Sequence, residues 1–383
     1  MVWLRVLLAS VVLSACTTDH ASLARKPDAG GGSGGSGGSG GLLGGFGNTG
    51  NLSSGGRPNP DLEQPGDDAL TLVNGVVDAA GLSLCFARVG DDGESELMGD
   101  PQPELRYGSS TVLTALASFD AERETLQPWV LVGDLSLLEG LNCSEAVALA
   151  RDEEAKVTPS EELEGDAQGS AGAGGAGDGE PEPVLEQPAL RARAVPALPA
   201  GTLTTGRSLL MVLTGCVGGA AYTDSVESSV CGSDYSAMSP TLQPVVVKLS
   251  RASGYDKVGL QAVQASQAIG QVDVRASGDD GALAITFASG VGFGAIAPRP
   301  ADVRFTEAEL GLTARNHGLQ AVGDGSVVFR ESWMAIRSFS GIEAVEPSRT
   351  YTAVLVGPDP LLVKKGWWNE SHFVLVDNDP TRE

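Results

Sequence analysis

The sequence predicts an all-β fold: two tandem antiparallel β-sandwich modules, preceded by a disordered stalk and interrupted by a disordered acidic insert. Three observations predict it. Short apolar or alternating runs recur along the chain, at 70–85, 209–213, 272–274 and 351–356, with little helical periodicity between them. Gly/Asp turns separate the runs: Gly90-Asp91-Asp92-Gly93, Gly278-Asp279-Asp280-Gly281 and Gly323-Asp324-Gly325. Many short strands with turn signals are the pattern of sheet-on-sheet packing. The runs also recur in the same order in two halves of the chain, and 42% apolar residues suffice for a core in each. The same composition narrows function. Forty-nine acids against 25 bases leave no general basic surface for nucleic acid, and three His leave little room for His-based catalysis or metal binding.

The chain begins with an address. Arg5 precedes an apolar run from Val6 to Leu13, too short to span a bilayer, which takes about 20 residues, but fitting for a secretory signal. The run ends in Leu13-Ser14-Ala15-Cys16, which resembles the bacterial lipobox. That resemblance implies a signal peptide over 1–15, cleavage before Cys16 and lipidation of Cys16 (palmitate among the acyl chains), with the membrane as first partner. Two or three acyl chains anchor stably where one does not. Thr17, by resemblance to lipoprotein sorting in Gram-negative cells, favours the outer membrane, facing either the periplasm or the exterior.

Residues 16–67 read as the anchored Cys and a flexible stalk. Fifteen of the 27 residues from 30 to 56 are Gly, and such a segment cannot bury enough surface to offset its chain entropy. A phosphate-cradling loop would need a strand before it and a helix after it, and the pattern offers neither. Module 1 follows at 68–252 and module 2 at 256–383. Inside module 1, about 151–188 reads as a self-repelling acidic insert, with ten acids and one base between Asp152 and Glu182. Just ahead of it, 144–157 could form a short helix capped by Ser144.

The duplication is visible in three blocks. Residues 70–85 lie over 260–275, Tyr107-Gly108 over Phe293-Gly294, and 207–215 over 349–357, at offsets of 190, 186 and 142. The fall in offset is about the size of the acidic insert, which places the insert within the first repeat. In each copy a further apolar run follows, at 244–249 and 372–376. The order is a first strand, a second strand of Val272-Asp273-Val274 type, an aromatic-Gly pair, then Arg349-Thr350-Tyr351-Thr352 and an apolar run to Gly357. It resembles the domain of unknown function 4397 family of exported bacterial proteins. Copy one departs from the pattern, with Arg207-Ser208-Leu209-Leu210 in place of the Tyr-Thr pair. The resemblance implies immunoglobulin/transthyretin-like sandwiches on the cell exterior. The family carries no established activity and transfers no site.

Four cysteines remain besides Cys16. An even number in an exported chain suggests two disulfides among Cys85, Cys143, Cys216 and Cys231. Three pairings are open; Cys216–Cys231 is the natural local pair, which leaves Cys85–Cys143 to tie the second strand to the end of the third or fourth. No C-x-x-C spacing suggests a metal.

These features point to an exported, lipid-anchored envelope protein with a structural or interaction role, a protein or glycan partner still to be identified, no cofactor and no enzymatic activity. A glycan- or calcium-binding module is the first alternative. Asp91, Asp92, Asp279, Asp280 and the Asp377-Asn378-Asp379 turn are its calcium candidates, and Trp367 and Trp368 its stacking platform. Turn chemistry and packing account for the same residues without a ligand. A hydrolase is the last alternative and would need a nucleophile in a strained turn, for which the sequence has no G-x-S-x-G.

Overall fold

The computed structural model describes residues 69–90, 92–113, 123–157, 189–203, 207–218, 230–232, 234–235, 240–253, 257–277, 285–297, 300–303, 318–342, 345–360 and 369–382. The signal region, the stalk and residues 158–188 of the acidic insert lie outside them. The first half runs β1 (Ala69–Val76), β2 (Gly81–Val89), β3 (Ser95–Met98), β4 (Leu105–Arg106), β5 (Ser110–Leu113), β6 (Thr125–Gly133), α1 (Cys143–Val157), β7 (Leu190–Ala194), β8 (Ser208–Gly215) and β9 (Gln243–Lys248). The second runs β10 (Val258–Gln264), β11 (Val272–Ser277), β12 (Ile285–Val291), β13 (Ala301–Val303), β14 (Gly318–Gly323), β15 (Ser326–Ser332), α2 (Trp333–Ser340), β16 (Thr350–Val356) and β17 (His372–Asp377). The all-β expectation holds.

Each half contributes two sheets. In the first, an inner sheet ordered β5-β1-β8-β9 faces an outer sheet ordered β3-β2-β6-β7, with β4 beside β2. In the second, the inner sheet is β13-β10-β16-β17 and the outer is β12-β11-β14-β15. The strand plan is the same in both. So is the register: Leu70 pairs with Leu209 in one inner sheet and Leu260 with Tyr351 in the other, which preserves the offsets of 190 and 142.

One part of the expectation is corrected. The sheets are not purely antiparallel, because β1 pairs with β8, and β10 with β16, in parallel. These inner sheets are buried on both faces. Leu72 and Met211 turn outward to meet Leu84 and Val130 of the first outer sheet. Val73 and Val212, one residue on, turn inward to meet Val263, Val354 and Val376 of the other inner sheet. Leu260, Ala353 and Tyr351 then face Val274 and Leu319 of the second outer sheet. The layers follow outer, inner, inner, outer. A strand covered on both sides reads as an unbroken apolar run and suits parallel pairing, whereas alternation belongs to a half-exposed strand. Each fully buried Leu in such a stack contributes about 1.5–3 kcal/mol.

Two local expectations also change. The helix near 144–157 starts at Cys143, and its cap is Asn142 and not Ser144. The Asn142 side chain accepts from the Glu145 N–H at 3.0 Å while the Glu145 carboxylate accepts from the Asn142 N–H at 3.0 Å. This reciprocal pair satisfies two donors that a Ser one position later could not reach. The helix continues to Val157, so the first residues assigned to the insert, 151–157, are its last two turns. Ala146, Val147 and Ala150 lay α1 on the far side of the first outer sheet, against Leu131 and Leu190.

Candidate functional site

Both disulfides are present, in the pairing the sequence favours: Cys216 with Cys231, and Cys85 with Cys143. All four are buried. Cys143 is the first residue of α1, so its bond ties β2 to a helix and not to the end of a strand. The other bond closes a loop beside Asp78 in the β1–β2 turn. The Asp78 carboxylate accepts from the N–H groups of Val217 (2.9 Å) and Gly218 (2.8 Å), and Arg191 donates to the Gly218 carbonyl. Burial pushes the Asp78 carboxyl above its ordinary range, outweighing the two N–H donors and the Arg191 charge that favour the anion.

A second cluster lies where β17 meets β15. His372 Nδ1 contacts Glu331 Oε1 at 2.8 Å, and the other Glu331 oxygen accepts from the Phe373 N–H. Phe339 of α2 lies against the imidazole, with ring centroids 4.0 Å apart. From the first half, Tyr107 stands over the same ring at 5.9 Å and donates its hydroxyl to the Glu370 carbonyl. Burial, then the Glu331 and Glu370 carboxylates, drive the Tyr107 phenol far above its usual range. Tyr107 is therefore a neutral donor and packing group. Chemically the cluster is a buried acid–imidazole pair with an aromatic wall. No sequence signal could have announced it, since Glu331 and His372 are joined only by the packing of β15 on β17.

Among the described residues, a cleft of about 400 Å³ opens at one end of the second outer sheet. Asp273, Asp324 and Asp359 carry its acidity, while Val322 and Val328 form an apolar lip. The Gly323-Asp324-Gly325 turn between β14 and β15 forms one rim, and Asp324 adopts a φ of 48° there. Asp273 accepts from the Gly290 N–H at 2.9 Å and stands 3.6 Å from Arg275, and Gln271 donates to the Gly290 carbonyl at 2.6 Å. The hydrogen bonds thus hold the wall in shape, and the carboxylates give the cleft a negative field suited to cationic or amine groups.

Of the calcium candidates, Asp92, Asp377, Asn378 and Asp379 are among the described residues, and each is engaged by its own turn or by neighbouring side chains. The Asp92 carboxylate accepts from the Glu94 N–H at 3.1 Å within its own turn. Asp377 pairs with Arg349 at 2.8 Å, Asp379 with Arg251 at 3.2 Å, and Asn378 is buried between Thr352, Gln261 and Ser250. Among the described residues no group of three or more His, Cys, Asp or Glu is placed to hold a metal ion. Cys16, Asp91, Asp279, Asp280, Trp367 and Trp368 lie outside the described residues, as do His20 and His317. Among the described residues no helix is long and apolar enough to cross a membrane. No family model matches the chain, and no curated protein matches it.

Proposed function

We propose that the chain is an exported, lipid-anchored protein of the cell envelope whose two β-sandwich modules serve a structural or interaction role. The observation that carries the reading is the pairing of cysteines. Four of the five close two buried disulfides, the chemistry of an oxidising compartment, and the fifth is Cys16. That residue stands where the signal-like run ends, in a sequence context that gives a lone Cys a lipid to carry. The Gly-rich stretch behind it supports a stalk, and a polyanion on such a stalk stands off anionic headgroups. The matching strand plans and registers support the tandem reading and the resemblance to the domain of unknown function 4397 family. The acidic cleft supports an interaction role with a partner that presents cationic groups. The outer membrane is the proposed station, on the strength of Thr17.

Metabolic labelling with a palmitate analogue tests the anchor. The wild type takes up label and fractionates with membranes, and Cys16→Ser does neither. Equal labelling of both, or a Cys16→Ser variant that stays in the membrane fraction, overturns the reading.

A further inference from the structure

We infer that the seam between the two inner sheets is a two-fold, self-complementary docking surface, and that the partner it fits is the opposite half of a second copy of this chain. Equivalent residues of the two halves pack on each other across it. Val73 and Val263 are related by the offset of 190, Val212 and Val354 by 142, and all four share one buried cluster. Val245 and Val247 of β9 correspond to Val374 and Val376 of β17, since Leu213 pairs with Pro244 as Leu355 pairs with Phe373, and these four belong to the same cluster.

The loops exchange bonds reciprocally. Asn369, ahead of β17, donates from its backbone N–H to the Val77 carbonyl at 3.0 Å and from its amide to the Ala79 carbonyl at 2.9 Å, in the β1–β2 turn. In the other direction Gln267, in the β10–β11 turn, donates to the Thr241 carbonyl at 2.9 Å, just ahead of β9. Thr214 of β8 also donates to the Ala265 carbonyl across the seam. The same turn of each half therefore grips the same loop of the other, as in an isologous dimer, where residue i meets j and j meets i. The approach is close: a Cβ on Gly75 would stand 2.8 Å from Val356 Cγ1. An interface of this kind does not distinguish a half supplied by its own chain from one supplied by another. The two halves are consecutive in the chain, so a half freed from its own partner presents the same face to the opposite half of a neighbouring copy.

The experiment uses the whole chain, with a protease site replacing residues 254–256. After cutting, the two pieces stay together in native buffer and elute with the uncut protein. When two cut preparations of different mass label are mixed and warmed towards their melting temperature, native mass spectrometry finds hybrid pairs in statistical proportion. Pieces that separate in native buffer, or pairs that never trade halves, overturn the inference. A second measurement does not depend on cutting. Gly75→Ala lowers the melting temperature, and adding Val356→Ala restores part of the loss; losses that simply add show that the two residues do not meet across a tight seam.

Discussion

The two halves of the molecule share a strand plan and differ in what lies on their outer sheets. In the first half, α1 covers that sheet, pinned by Cys85–Cys143 and resting on Leu131 and Ala192. Arg151 adds a cation over the Trp129 ring, 5.1 Å from its centroid. In the second half, the connection between β14 and β15 is the tight turn at Gly323–Gly325, with no helix. The residues underneath agree. Cys85 corresponds to Arg275 by the 190 offset, and Ser83 pairs with Leu131 where Asp273 pairs with Val322. Carried along the registers, Trp129 corresponds to Gln320 and Ala192 to Val327, which is 48% exposed. An apolar surface with a Cys lies under α1, whereas the corresponding positions of the second half carry Arg275 and the buried Gln320. One framework thus joins its third and fourth outer strands through a stapled helix in one half and through a tight turn at the rim of a cleft in the other.

The largest expected effect breaks the first half's side of that comparison. Replacing Cys85 and Cys143 with Ala releases a 58-residue closure, worth about 4 kcal/mol in the chain-entropy model. Melting followed by far-UV circular dichroism should show the loss; an unchanged transition would mean that α1 holds by packing alone.

A smaller effect tests whether the halves are equivalent where they look it. Gly215 ends β8 and Gly357 follows β16, at φ of 93° and 101°, and a Cβ would meet the Thr241 carbonyl at 2.3 Å and Ser371 Cα at 2.6 Å. Each Gly→Ala change is expected to cost at least about 1–3 kcal/mol, and similar amounts in both halves. Denaturant unfolding in which one is silent would show that the shared register hides a difference in strain.

The smallest effect is a dependence on pH that the first half alone carries, since Ala268 occupies the position corresponding to Asp78. The folded Asp78 carboxyl is raised above its ordinary value by burial. Its stabilisation is therefore complete below the ordinary carboxylate range, near pH 4, and is lost as pH rises through the raised value. Relative to wild type, Asp78→Asn should lack that loss as pH rises above the ordinary carboxylate range. Parallel stability–pH curves for the two proteins would contradict it.

How much of this could be read in advance depends on distance along the chain. Leu209–Leu213 and Tyr351–Val356 announce central strands because burial on both faces removes alternation. That four cysteines form two bonds follows from their even number, and their spacing favours Cys216–Cys231 while leaving three pairings open. The parallel pairing of β1 with β8 is not legible, because side-chain pattern reports burial and not strand direction. The Asn142 cap was within reach, since Asn-x-x-Glu stands in the sequence at 142–145, but Ser144 competed for the same role. The cleft gave only its Gly-Asp-Gly rim. Asp273 and Asp359 reach it from separate elements, as Glu331 reaches His372, and such meetings depend on the assembled sheets.

One feature of β1 bears on how the folded part answers a pull. The strand lies in the middle of its sheet, and its pairing with β8 runs unbroken from Ala69 opposite Ser208 to Val76 opposite Gly215. Because β1 is the first strand among the described residues, a tug on the chain ahead of Ala69, resisted elsewhere in the fold, acts along the strand axis. The ladder is then loaded in shear, with its hydrogen bonds sharing the force together. An edge strand peeled away sideways would yield one bond at a time, so the layout gives the β1 end of the described fold a mechanical clamp.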